Sequence, residues 1–303
     1  MDINTTVDIA GVTFKNPVIA ASGTFGYGRE HVDYMDLNKI GGISVSGLTL
    51  EPRNGNPPPR IVETPSGIIN SVGLQNPGVE YFINHQLPWL KEYDTRIIVN
   101  IAGNTVEEYC QIADRFNGTD VDMLELNISC PNVKQGGIAF GTQPVMVEEI
   151  TSAVKRYTQY PLVVKLSPNV GDIVAIARAA QAGGADALSL INTITAMAVD
   201  IENKRPMLEN VIGGLSGPAI KPIALRMVWQ VCNSVDIPVI GMGGIMNGRD
   251  AVEFMMVGAR AVAVGTANLI HPDACVRVLK GVEQYMTTAG VKDIRDIIGI
   301  IKT

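Results

Sequence analysis

Eight short apolar or β-branched runs, each stopped by Gly, Pro, Asn or Ser, recur along the chain with room for a helix between most of them. No other feature constrains the fold as much. The runs are Pro17–Ser22, Gly42–Thr49, Arg96–Gly103, Met123–Ser129, Leu162–Pro168, Ala187–Thr193, Pro238–Gly244 and Ala261–Ala267. Most are continuously apolar rather than alternating, as expected of parallel strands covered on both faces. Helical patterns sit between them. Thr105–Glu108 has capping-box spacing before EYCQIADRF. Asp172 is an N-cap candidate for DIVAIARAAQA, which stops at Gly183–Gly184. Ser216-Gly217-Pro218 precedes AIKPIALRMVWQV, and Asn247 or Asp250 precedes AVEFMMVGA.

Two units, ARAAQAGGADALSLINT and VEFMMVGARAVAVGTA, share one order of helix, glycine turn, Ala-x-x and strand. Eight strand candidates alternating with helices predict an α/β fold, a (β/α)8 TIM barrel; a doubly wound open sheet is the rival. No Pro/Ser linker divides the chain, so residues 1–303 read as a single domain. Glu51–Pro88 and Ala196–Gly217 are long excursions after the second and sixth strands. In a barrel they become elaborated loops on the C-terminal face, where active sites are built.

Composition narrows the function classes. With 46% hydrophobic and 18% charged residues, the 303-residue chain can bury a sizeable core, which excludes a disordered protein. A net charge of −6 disfavours nucleic acid as a partner. Cys110, Cys130, Cys232 and Cys275 contain no C-x-x-C pair, so this chain has no zinc or iron–sulfur ligand pattern, and they are too few for a disulfide framework. MDINTTVDIAGVTF lacks the basic and apolar regions of a signal peptide, and no run of 18 apolar residues occurs. The expectation is a soluble cytoplasmic protein that does not bind membranes.

Polar residues cluster where the strands end: Ala21-Ser22-Gly23, Asn100, Asn127, Ser129-Cys130-Pro131-Asn132, Lys165, Asn192-Thr193, Gly243-Gly244 and Gly265-Thr266. Converging at a barrel mouth, they would make a neutral, hydrogen-bonding pocket. It has no carboxylate pair for glycosidase chemistry. His31, His85 and His271 are isolated and read as surface or satisfied core residues. Lys165, inside an apolar strand, is either a snorkelling or salt-bridged lysine, or a cation for an anionic group, or a Schiff-base amine. The glycines after strands seven and eight are either ordinary turns or a place where backbone N–H groups hold a phosphate. GMGGIMNG lacks dinucleotide-fingerprint spacing. Cys130, in a polar loop beside PNVKQGGIAFG, reads as a working thiol, and the other three cysteines as packing residues.

Taken in order, Ala21-Ser22-Gly-Thr-Phe-Gly, EPRNGNPPPR, NSVGLQNPG from Asn70, NISCPNVKQGG from Asn127, Asn192-Thr193 and GLSGPAIKP from Gly214 resemble the dihydroorotate dehydrogenase family along essentially the whole chain. Cysteine in NISCPNVKQGG resembles the soluble branch, and within it the NAD-linked type, whose catalytic subunit holds FMN. The resemblance implies an FMN-binding (β/α)8 barrel that oxidises dihydroorotate, with loss of a proton from C5 and a hydride from C6.

It also implies roles. Cys130 would be the general base, and residues 131–141 a lid. Asn70, Asn127, Asn132, Asn192 and Thr193, with Ser46, Ser71, Val72, Gly73 and Leu74, would hold the pyrimidine. Lys165 would be catalytic and lie beside the flavin. Ala21, Ser22, Ser46, Gly47, Asn100, Asn127 and Ile191 would line the flavin ring and ribityl chain, and Gly217, Gly243, Gly244, Gly265 and Thr266 its tail and phosphate. A partner subunit with FAD and a [2Fe–2S] cluster would complete a heterotetramer around a homodimer core. One position departs from the family pattern, Lys-x-x-Thr before Glu-Pro-Arg: the lysine is Ser46 here. Serine supplies no charge for a carboxylate. That gives force to the nearest alternative, a dihydropyrimidine dehydrogenase-like enzyme; a fumarate-linked soluble dihydroorotate dehydrogenase is a further one. Beyond them stand a non-catalytic flavin-binding subunit and, on the bare barrel pattern, a Schiff-base aldolase.

Overall fold

The computed structural model describes residues 3–128 and 140–301, so Cys130 and Asn132 lie outside the described residues. All eight apolar runs form strands: Val18–Ala20 (β1), Gly42–Ser44 (β2), Arg96–Ile101 (β3), Met123–Asn127 (β4), Leu162–Lys165 (β5), Ala187–Leu190 (β6), Val239–Met242 (β7) and Ala261–Val264 (β8). They pair in parallel, each with the next, and β8 pairs with β1, closing the barrel. Nearly every residue in them is buried, because the interior covers one face and the helices cover the other. The rival open sheet is thereby ruled out. The strands are shorter than the apolar runs: their last residues leave the ladder and turn into the mouth.

The helices follow their sequence signals. Val106–Phe116 (α1) buries Tyr109, Ile112, Ala113 and Phe116, the i, i+3, i+4, i+7 face of an amphipathic helix. Its capping box is only half formed. The Thr105 hydroxyl accepts from the Glu108 amide at 3.2 Å, but the Glu108 carboxylate accepts from the Asn104 amide at 2.7 Å instead of reaching Thr105. Next come Pro144–Lys155 (α2) and Ile173–Ala182 (α3), the latter capped by Asp172 as expected. Lys221–Cys232 (α4) and Gly248–Met256 (α5) follow, the latter with a complete Asn247/Asp250 capping box. Ala274–Ala289 (α6) packs on α5 and β1.

Two features fall outside the recurring pattern. An N-terminal hairpin, Val7–Ile9 with Val12–Phe14, sits at the strand starts, with Phe14 fully buried. The two excursions do not stay separate: Ile61–Thr64, Gly67–Asn70, Gly213–Ser216 and Ile194–Ala196 form one antiparallel sheet. It has its own small apolar core of Val62, Ile69 and Leu208. Because its strands leave the C-terminal ends of β2 and β6, this sheet stands beside the mouth.

Candidate active site

The cleft at the C-terminal ends of the strands contains about 1410 Å³ of free space, open to solvent. Lys165 is the one charged side chain lining it among the described residues. The hydrogen-bonding pocket expected from the strand ends is therefore present, with Lys165 as its one described charge. The barrel floor supplies Asn100, Asn127 and Lys165; β1 supplies Ala21 and Ser22 just beyond its last residue; β2 supplies Ser46 and Gly47. The side sheet and its flanks supply Ile68, Asn70, Val72, Gly73 and Leu74, while Ile191, Asn192 and Thr193 continue from β6. Gly217, Gly243, Gly244, Gly265 and Thr266 close the opposite end. Ser71 does not line the cleft. It is buried behind the wall, where the Asn56 amide donates to its carbonyl and hydroxyl oxygens, both at 3.0 Å.

Lys165 is 5% exposed, and its ammonium donates to Ser22 Oγ at 2.9 Å. Among the described residues it has no carboxylate partner. That disposes of the salt-bridged reading, and burial disposes of the snorkelling one. An ammonium removed from water with one neutral hydroxyl is costly unless something in the cleft complements it.

Beneath the cleft floor lies an acidic group that is not at a strand end. Glu125 is 2% exposed inside the barrel. Its Oε2 accepts from Ser44 Oγ at 3.0 Å and from Asn100 Nδ2 at 2.5 Å, and its Oε1 from Ser189 Oγ at 2.7 Å. Asn100 Oδ1 in turn accepts from Asn127 Nδ2 at 3.0 Å. A side chain on β4 that meets β2, β3 and β6 must cross the interior. The signal was in the sequence: Glu125 and Asn127 are two residues apart in Met-Leu-Glu-Leu-Asn and so share a strand face.

At the other end, backbone comes close to the cleft. Gly244 has φ +75°, and a Cβ there would stand 2.9 Å from Gly217 O and 2.8 Å from Lys221 Cβ. Only glycine fits this turn. Thr266 Oγ1 donates to Ser216 Oγ at 2.8 Å, tying the β8 loop to the side sheet. The turn after β7 is held by Asp250, which accepts from the Met246 amide at 2.8 Å, the Asn247 amide at 3.2 Å and Lys221 Nζ at 2.6 Å. On the side wall, Asn70 Nδ2 donates to Gly214 O at 3.3 Å, and Asn192 Oδ1 accepts from the Thr193 amide at 2.9 Å. The Ser46 amide donates to Gly26 O at 3.1 Å, setting that residue in the wall.

Burial raises the thiol of Cys110 and pushes those of Cys232 and Cys275 up to about 12. All three stay protonated packing residues, as expected. No cluster of His, Cys, Asp and Glu among the described residues could hold a metal ion. No helix among them is long and apolar enough to cross a membrane.

Comparison with known proteins follows the same lines. The dihydroorotate dehydrogenase family model matches residues 4–286. The chain is 60% identical over 297 residues to dihydroorotate dehydrogenase B (NAD(+)), catalytic subunit, of Alkaliphilus metalliredigens, covering 98% of both chains. It is 55% identical over 300 residues to the protein of the same name from Thermoanaerobacter pseudethanolicus, covering 99% of both. A crystal structure of DHODH in complex with ferulenol from Eimeria tenella superposes with a TM-score of 0.81 at 25% identity, over 98% of this chain and 88% of that one. With a barrel whose mouth carries the expected amides and lysine, and with this similarity along nearly its full length, the chain belongs to the dihydroorotate dehydrogenase family.

Proposed function

We propose that this chain, working as one barrel domain over residues 1–303, is the FMN-containing catalytic subunit of an NAD+-linked dihydroorotate dehydrogenase. It would oxidise (S)-dihydroorotate to orotate for pyrimidine biosynthesis in the cytoplasm. The observation that carries this reading is the cleft itself: one buried ammonium among amides and hydroxyls, in a chain 60% identical to a protein named for that role.

The residues present fit FMN. Beside Gly265 the space is open, the nearest atom to an added Cβ being Ala21 Cβ at 3.8 Å, so a phosphate can approach the backbone there, while the amide-rich floor suits a flat polar ring. Gly217, Gly243, Gly244, Gly265 and Thr266 would hold the tail and phosphate. Ala21, Ser22, Ser46, Gly47, Asn100, Asn127 and Ile191 would line the ring and ribityl chain. FMN, when bound, supplies the acceptor for the hydride from substrate C6.

The remaining work belongs to the chain. Lys165 would hold positive charge beside the ring and so favour negative charge there, an electrostatic role for a cation already buried in place. Asn70, Asn127, Asn132, Asn192 and Thr193 orient the pyrimidine by hydrogen bonds, and an analogue lacking a partner would leave a buried group unpaired. Val72, Gly73 and Leu74 shape the wall. Cys130 Sγ takes the C5 proton; a thiol that titrates near 8.5 when unperturbed needs little tuning to act as a base near neutrality. Cys130 follows Asn127 by three residues, and Asn127 lines the cleft. Electrons would leave through a partner subunit with FAD and a [2Fe–2S] cluster, in a heterotetramer built on a homodimer; the name "catalytic subunit" on the relatives supports a partner.

Ser46 favours one competing reading, an enzyme for a neutral dihydropyrimidine, because it leaves Lys165 as the only described cation in the cleft. Anaerobic addition of dihydroorotate to the purified yellow protein separates the two. Rapid bleaching of the flavin absorbance is expected. A flavoprotein bleached by dihydrouracil and not by dihydroorotate moves the assignment to the competitor, and a protein that takes up no FMN overturns both.

A further inference from the structure

Amide side chains are polar at both ends, so an asparagine in a binding site can offer a ligand either an acceptor or a donor. Which end it offers depends on what fixes it from behind. In this barrel the chain of hydrogen bonds behind Asn127 ends on a carboxylate, which only accepts. Ser44 Oγ, Ser189 Oγ and Asn100 Nδ2 all donate to Glu125. With its Nδ2 committed to Glu125, Asn100 turns Oδ1 towards Asn127, which must answer with its own Nδ2. The Asn127 amide is thereby set with Oδ1 on the side away from Asn100. Reversing it would place two carbonyl oxygens, or two NH2 groups, face to face somewhere along the chain.

Three further observations fit a directional relay. Asn100 is 0% and Asn127 7% exposed, so water does not scramble the pairing. Asn100 and Glu125 are direct register partners on β3 and β4, which fixes their separation through the barrel ladder. Gly47 passes over the Asn100–Asn127 contact, where an added Cβ would stand 2.8 Å from Asn100 Oδ1 and 3.8 Å from Asn127 Nδ2. The strand end above the relay thus leaves no room for a side chain that could compete for Asn100 Oδ1.

We infer that Glu125 is a positioning residue: through Asn100 it fixes Asn127 as a hydrogen-bond acceptor at the cleft, selecting a planar heterocycle that offers a ring N–H there. The inference rests on the FMN and dihydroorotate reading above. Glu125 touches neither cofactor nor substrate and acts only through the amides.

The test uses isosteric exchanges and orotate binding, read by the visible spectrum of the FMN-loaded protein. In Glu125→Gln the new NH2 removes the obligatory acceptor, so Asn100 and Asn127 can reverse; orotate affinity is expected to fall roughly tenfold or more. In the double variant Glu125→Gln/Asn100→Asp the acceptor-only group moves one position along. The introduced amide at position 125 then donates to the introduced carboxylate at position 100. That carboxylate accepts from Asn127, which regains its direction, so orotate affinity is expected to rise at least about threefold above that of Glu125→Gln, while staying below the parent because Asn100 also lines the proposed flavin site. A Glu125 that merely supports the core would leave the double variant at least as weak as the single one, and that result overturns the relay. Unchanged affinity in Glu125→Gln overturns it too. If the single variant does not fold, the double variant decides alone: orotate binding supports the relay and its loss rejects it. A parent protein that binds neither FMN nor orotate rejects the underlying reading, and the relay with it.

Discussion

The ammonium of Lys165, on strand β5, and the hydroxyl of Ser22, just beyond the end of β1 across the barrel, meet at 2.9 Å and join opposite sides of the cleft floor. The contact fixes where the one described charge of the cleft points. Substituting Lys165→Met removes that charge while keeping most of the apolar stem. The rate of flavin reduction by dihydroorotate is expected to fall by about 10²–10³, the range for losing one preorganised electrostatic group. Thermal stability should hold or rise, since an incompletely paired buried charge is replaced by an apolar side chain. Stopped-flow absorbance and a melting curve measure the two together. A faster-melting variant with normal flavin reduction would reverse the assignment.

Ser46 lines the same cleft without charge. Restoring a cation with Ser46→Lys is expected to tighten orotate binding by roughly 10- to 100-fold, the worth of a charge-assisted hydrogen bond to a carboxylate. Binding of uracil, which has no carboxylate, should change little. Spectral titrations with both ligands give the ratio directly. Equal effects on the two would mean that position 46 does not face the carboxylate.

The barrel was legible in the sequence because parallel strands covered on both faces leave uninterrupted apolar runs, and all eight runs form strands. The amides and Lys165 were legible because polar residues at the ends of such runs have nowhere to point but the mouth. Three things were not. The joint sheet of the excursions depends on pairing Gly67–Asn70 with Gly213–Ser216, residues far apart in sequence whose register no local pattern records. Ser71 shares a segment with residues of the site, yet alternation along an extended segment turns every other side chain away, and Asn56 holds it behind the wall. Glu125 stands out as a lone acid in an apolar strand, but its three donors come from three other strands.

Burial raises three of the four cysteine thiols, and the proposed function makes the fourth, Cys130, the base. Cys232 and Cys275 are raised by burial to about 12, and Cys110 is raised as well. At pH 8 the native protein should therefore show one fast thiol towards a disulfide reagent, lost in Cys130→Ser, with all four reacting only after unfolding. The raised groups also set a sign in alkali. An unfolded thiol ionises near 9, so the stability contributed by the neutral buried forms is complete below that pH and is lost as pH rises towards 12. Denaturant midpoints should accordingly fall above pH 9. Cys232→Ala/Cys275→Ala should flatten the decline, and an equally steep decline in that variant would put its origin elsewhere.

Asp250 acts at one remove on the Gly243–Gly244 end of the cleft, which is proposed to hold the phosphate. Its carboxylate gathers two amides of the turn after β7 and the ammonium of Lys221 at the start of α4. In Asp250→Asn one oxygen becomes an NH2 group, which must face either the cation or a backbone N–H, so at least one buried donor loses its partner. The expected cost is about 1–3 kcal/mol in stability. A loosened turn at Gly243–Asn247 should also weaken FMN binding about tenfold, the effect that 1.4 kcal/mol produces. Glu253 provides the contrast: it also pairs with Lys221, at 3.0 Å, but its side chain is 46% exposed and binds no part of the turn. Glu253→Gln should therefore change stability by less than about 1 kcal/mol and leave FMN affinity alone. Flavin fluorescence titration of the apoprotein, run beside urea unfolding, measures both quantities for both variants. Matching losses in the two would show that the Lys221 charge, and not the clasp on the turn, is what the site requires.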